Sequence, residues 1–145
     1  MSNASLCVKQ LIQDMVSDRK YYVELNELLE KQRLLIIARQ AAELDALNAQ
    51  LIDIYQRLSQ SSQQRHTLLQ QLGVQPGPQG IKALFAKLPS PHNGKVNAIW
   101  EDLEQQANRC QRTNESNGIL LNMQQEILMN LMNTSEPENW LYQQV

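Results

Sequence analysis

Two segments of about 32 residues follow one another at the start of this chain, and each carries an apolar stripe at the spacing of a coiled-coil seam. In the first, residues 6–37, Val8, Met15, Tyr22, Leu29 and Ile36 stand at strict sevens, with Leu11, Ile12, Leu25 and Leu28 beside them. In the second, residues 41–72, Leu44, Leu47, Leu51, Ile54, Leu58, Ser61, Arg65, Leu68 and Leu72 follow a 3-4-3-4 spacing. A stripe of that period is buried by laying one helix along another, which makes the chain all-helical before any other residue is considered. Each segment spans roughly 48 Å at 1.5 Å per residue. No Gly or Pro interrupts the first, and its outward positions carry Lys9, Asp14, Asp18, Lys20, Glu24, Glu27, Glu30 and Lys31. Only residues 38–40 separate the two, and no helix breaker marks that stretch. One continuous helix fits the pattern, but a hairpin buries both stripes more economically.

Gly73 is placed to end the second helix, and the run from Gly73 to Gly80 is rich in Gly and Pro. Residues 81–88 have apolar side chains at Ile81, Leu84, Phe85 and Leu88, enough for a short helix capping one end of a bundle. A second breaker set, Pro89 to Gly94, precedes a third long helix over residues 95–132. Its first half places Val96, Ile99, Trp100, Leu103, Ala107 and Cys110 on one face. The predicted fold is one domain, 1–145, an antiparallel bundle of three long helices (a helical hairpin plus a long C-terminal helix) with a short connector helix and a 133–145 tail. Five Gly, five Pro and seven aromatic residues are too few for a many-stranded sandwich or barrel.

Composition removes several functions. Lys and Arg number 13 against 15 Asp and Glu, so the basic excess needed to hold a phosphate backbone is missing and nucleic acid is not an expected partner. The longest apolar run, Leu34 to Ala38, is far too short to span a bilayer, and no signal-peptide pattern opens the chain; a cytoplasmic protein without membrane insertion is expected. Cys7 and Cys110 lack CxxC partners and read as reduced thiols. His66 and His92 have no ligand at metal-site spacing, and no Glu-x-x-His pair, phosphate loop or nucleophile elbow occurs. Neither a metal, another cofactor nor enzymatic activity is expected.

The third helix changes character near its middle. Asn114 and Asn117 stand where the seam calls for apolar residues, and Gly118 follows, at about 1 kcal/mol against Ala within a helix. A polar layer that fixes register, with a close backbone approach at the glycine, explains the cluster; so does a hinge between a packed upstream part and a mobile downstream part. Beyond it, Ile119, Leu120, Leu121, Met123, Ile127, Leu128, Met129, Leu131 and Met132 exceed what one face can hold. Continuing the seam from Asn117 places Leu120, Ile127 and Leu131 in it, Leu121, Leu128 and Met132 to one side, and Ile119 and Met123 to the other. The apolar sector is about twice the roughly 100° that a surface helix buries. Either the short helix or the tail covers the excess, or it is a surface for another protein, and methionines suit a surface that repacks around its partner.

The stretch Trp100-Glu101 followed by Asn114-Glu115-Ser116-Asn117-Gly118-Ile119-Leu120-Leu121, with Gln124 and Gln125 after it, resembles the most characteristic region of the FlgN family of flagellar export chaperones. The order of two long Leu-rich helices, a Gly-ended second helix, a short connector and a long last helix resembles that family too. The resemblance implies a non-enzymatic cytoplasmic protein that binds the C-terminal helices of the hook-filament junction proteins FlgK and FlgL, keeps them from premature association and delivers them to the flagellar type III export apparatus. It assigns substrate binding to Ile119, Leu120, Leu121, Met123, Ile127, Leu128, Met129 and Met132. Family tails often carry Leu-Tyr-Gly; here Leu141-Tyr142 is followed by Gln143, so Trp140 and Tyr142 are candidate docking residues on a departing motif. The residues alone leave a second reading open, a self-associating coiled-coil or adaptor protein whose excess apolar face is covered by its twin.

Overall fold

A computed structural model describes residues 3–75 and 77–135, with side chains to 132. They form four helices, α1 (Asn3–Ala38), α2 (Ala41–Gln71), α3 (Pro78–Ala86) and α4 (His92–Ser135), and no strand occurs among the described residues. Helices α1 and α2 fold back on each other, so the hairpin, and not the continuous helix, is the observed arrangement. Arg57 reaches Tyr21, Arg65 reaches Asp18 and Gln32 reaches Asn48, the mirrored pairing of antiparallel neighbours. The pairs Tyr22–Cys110 and Leu29–Asn117 keep a constant offset, so α4 runs parallel to α1. Helix α1 is thus the shared element, packed along α2 on one flank and α4 on the other.

The hairpin turns without glycine. The Arg39 N–H donates to Ile36 O and the Gln40 N–H to Leu35 O, both at 3.1 Å, while Arg39 adopts φ +56°. These two bonds make a Schellman cap, with Arg39 at the left-handed position that glycine usually fills. The end of α2 repeats the motif with Gly73 at φ +69°: the Gly73 N–H bonds Gln70 O and the Val74 N–H bonds Leu69 O. The second stop carries a breaker signature in Gly73, whereas the first, expected at residues 38–40, is marked only by the gap between the two stripes, because Arg39 is no helix breaker.

Two cores result. At the base, Leu11 and Met15 of α1, Leu69 of α2, Ile81 and Phe85 of α3, and Val96, Trp100 and Leu103 of α4 close around one another. Phe85 is fully buried there, which is why a helix of nine residues stays docked. Higher up, Leu25, Leu28 and Leu29 meet Leu47, Leu51, Ile54, Leu58 and Cys110. The seam of α2 shifts to Leu69, with Leu68 only half-buried, as expected for a straight helix drifting about 20° per heptad. Helix starts also differ from the expected 6, 81 and 95. Helix α3 begins at Pro78, whose fixed φ suits the first helical turn, and α4 begins at His92, directly after Pro91.

Asp18, expected on the outward face of α1, is instead buried between α1 and α2, where the Arg65 guanidinium donates to it at 2.9 Å and lies over the Trp100 ring, tying three helices together. Burial is the largest influence on the Asp18 carboxyl and raises its pKa above 3.8, although a Ser61 hydrogen bond and the Arg65 charge pull the other way.

Candidate functional site: the exposed end of the long C-terminal helix

One polar layer crosses the bundle above the second core. Asn117, 2 % exposed, donates to Leu29 O at 2.9 Å and to Gln32 Oε1 at 3.0 Å, and Gln32 donates onward to Asn48 Oδ1 at 2.9 Å. Three amides on three helices therefore form one chain of hydrogen bonds. Asn114 is not in it. The seam drift that moved α2 also turns Asn114 into water, leaving Thr113 half-buried in its place. Gly118 is exposed in an unbroken helix, and a Cβ added there meets nothing within 4 Å, so no close backbone approach explains this glycine.

Past the layer, α4 outruns its support. Helix α1 ends at Ala38, which the Leu29–Asn117 register sets level with about residue 126. The last turns of α4 therefore extend roughly 13 Å beyond the hairpin tip. Leu120 and Gln124 are half-buried against α1, but Ile127 and Leu131 are exposed, which corrects the seam drawn through them: the neighbour that would cover them has already turned back. Ile119 (61 %), Leu121 (37 %), Leu128 (54 %) and Met129 (63 %) stand in water, as do Met123 and Met132.

These residues split into two faces on either side of the line of contact with α1. Leu121 and Leu128 look toward α2 and, with Gln124 and Gln125, form one wall of a cleft of about 270 Å³. Its other wall is the hairpin tip: Leu35, Ile36, Arg39, Gln40, Ala41 and Leu44. Ile119, Met123 and Ile127 recur every four residues on the opposite side of that line. The tip residues were not among the sequence candidates. Their signal was the apolar run at 34–38, since consecutive apolar residues in a helix cannot all face one core. Trp140 and Tyr142 lie outside the described residues.

Cys110 is buried, its thiol donates weakly to Tyr22 O at 3.6 Å, and burial pushes its pKa up to about 11. Both His66 and His92 are exposed, and the described residues hold no group of three or more His, Cys, Asp or Glu able to bind a metal. No helix among them is long and apolar enough to cross a membrane.

A helical bundle that closes its core at one end and leaves an apolar helix end in water at the other defines an all-α protein with an open hydrophobic docking surface. The family model described as FlgN protein matches residues 1–139, and the chain belongs to the FlgN family. That is a family of flagellar export chaperones, non-enzymatic proteins that bind export substrates, and this is the chain's general role. No curated protein and no solved structure gives a significant match to the chain.

Proposed function

We propose that this protein acts in the cytoplasm as the chaperone of the hook-filament junction proteins FlgK and FlgL, seating their C-terminal amphipathic helix in the cleft between the hairpin tip and the end of α4. The exposure of Leu121 and Leu128 opposite Leu35, Ile36 and Leu44 carries this reading. An amphipathic helix presents an apolar stripe about 100° wide, which matches a two-walled cleft better than a flat face. Leu121 and Leu128 are the primary contacts, with Met129 and Met132 extending the surface along the overhang. Ile119, Met123 and Ile127 face away from that cleft, so one bound helix does not reach both sets. Leu120 supports the site from behind, half-buried against α1. Shielding the substrate helix in this way keeps it from associating before export.

The test is the double substitution Leu121→Glu, Leu128→Glu, titrated with FlgK and with FlgL by calorimetry, with helicity followed by circular dichroism. Two buried leucines at about 2 kcal/mol each give an affinity loss of roughly a thousandfold. Retained affinity in a folded variant removes the site assignment.

A further inference from the structure

We infer that Arg39 sets the direction of the helix bound in the hairpin-tip cleft and recognises its chain end, so that the site selects a helix closing in a free C-terminal carboxylate. This rests on the proposed docking of a C-terminal substrate helix in that cleft, and deepens it by naming what one end of the site reads.

The cleft is apolar along its length and charged at one end only. Leu121 and Leu128 stand seven residues apart on α4, so its long wall runs about 10 Å toward the tip of the hairpin. In the Leu29–Asn117 register, an offset of 88 residues, Leu121 is level with residue 33 and Leu128 with residue 40, which puts Arg39 at the tip end. Arg39 is the one charged residue in its walls; Glu43 and Glu126 are exposed and do not line it. It forms no ion pair among the described residues, whereas Arg57 and Arg65 reach Asp53 and Asp18. Its backbone gives a second indication. At φ +56° glycine would close the same cap with less strain, so folding alone does not call for an arginine there. The opening N–H groups of α2, at Ala41, Ala42 and Glu43, have no acceptor among the described residues, and Gln40 supplies no side-chain cap. They add to the positive field at the same corner.

A docked helix has two unlike ends. Its N-terminus carries unpaired N–H groups and partial positive charge; its C-terminus carries unpaired carbonyls and partial negative charge, and a chain end adds a full carboxylate. With its N-terminus at the tip, the helix would set like charge against Arg39. Turned the other way, it runs parallel to α1 and α4 and antiparallel to α2, and its carboxylate meets the guanidinium, whose planar fork matches two carboxylate oxygens. An acidic side chain midway along a helix offers Arg39 a charge without the accompanying helix end, and a chain that continues beyond the tip carries its carboxylate past the corner.

The experiment is calorimetry on the full chain with a synthetic peptide of the C-terminal helix of FlgK in three forms: with a free carboxylate, with a C-terminal amide, and with Gly-Ser-Gly added after the natural last residue. The native chain is expected to bind the free-carboxylate form about tenfold more tightly than the other two, the size of one charge-assisted contact. R39Q is expected to bind all three alike, at the level of the amide on the native chain. R39G places in the cap the residue that such caps favour; it is expected to match R39Q in binding and to lose no stability in urea, so that weaker binding is not a folding defect. Three forms bound alike by the native chain, or a preference that persists in R39Q, overturns the inference. The Leu121→Glu, Leu128→Glu variant separates the two levels. If it removes binding while the peptide ends make no difference, the cleft reading stands and the role of Arg39 falls; if it leaves binding intact, both fall.

Discussion

Substituting Asn117 by Ala measures how much the polar layer contributes to holding α4 on the hairpin. The side chain is 2 % exposed and makes two hydrogen bonds, to Leu29 O and Gln32 Oε1. Each contributes about 1 kcal/mol net, and the atoms removed leave a small void that adds about as much again. Against this, Asn117 Oδ1 accepts nothing among the described residues, so its removal returns part of that cost, and the expected loss is about 2 kcal/mol. For a chain of 145 residues this lowers the thermal midpoint by about 6–8 °C. Urea denaturation followed by helicity checks the free energy, with an unchanged dependence on denaturant showing that only stability moved. Adding Asn48→Ala tests the relay. Asn48 and Asn117 meet only through Gln32, so a coupling above 0.5 kcal/mol, on the order typical of residues in one network, is expected. A cost below about 0.5 kcal/mol with no coupling would show that the three amides act independently and that register is set elsewhere.

Three further outcomes follow from single positions. Gly118→Ala is expected to raise stability by about 0.5–1 kcal/mol, since the new methyl meets open space in an intact helix, whereas Gly80→Ala is expected to cost about 1–3 kcal/mol because its Cβ overlaps the Gln75 carbonyl; urea midpoints of both variants decide, and equal signs refute the steric reading. Burial keeps the Asp18 proton on longer in the folded than in the unfolded chain, so the stability difference between wild type and Asp18→Asn falls as pH rises above 3.8 and flattens once the folded carboxyl is ionised; a difference that grows with pH contradicts it. A thiol reagent at pH 8 is expected to modify Cys7 quickly and Cys110 only at the rate of opening, given a Cys110 pKa near 11 and its burial; two equally fast thiols would show that α4 does not stay docked at Tyr22.

The arrangement of long helices was legible because Leu29, Ile36, Leu47, Leu51, Ile54 and Leu58 stand at periods that only a packed helix explains, and all are buried. The turn at Arg39 was legible only in its position, since its left-handed residue is not the glycine that such caps prefer. Asn114 and Asn117 looked equivalent three residues apart; the drift of a straight helix separates them, and only the helix neighbours tell which of two adjacent stripes stays inside. The surplus of apolar residues after Gly118 was legible as a surplus. Its division into two faces was not, because that depends on where α1 stops and on which flank α2 lies.

The central claim is that the apolar end of α4 and the hairpin tip receive the export substrate. Hydrogen–deuterium exchange of the full chain, alone and saturated with FlgK, tests it most directly. Slowed exchange confined to residues 119–132 and 35–44 is the predicted result. Unchanged exchange there, with protection appearing on the base around Phe85 and Trp100, would contradict it.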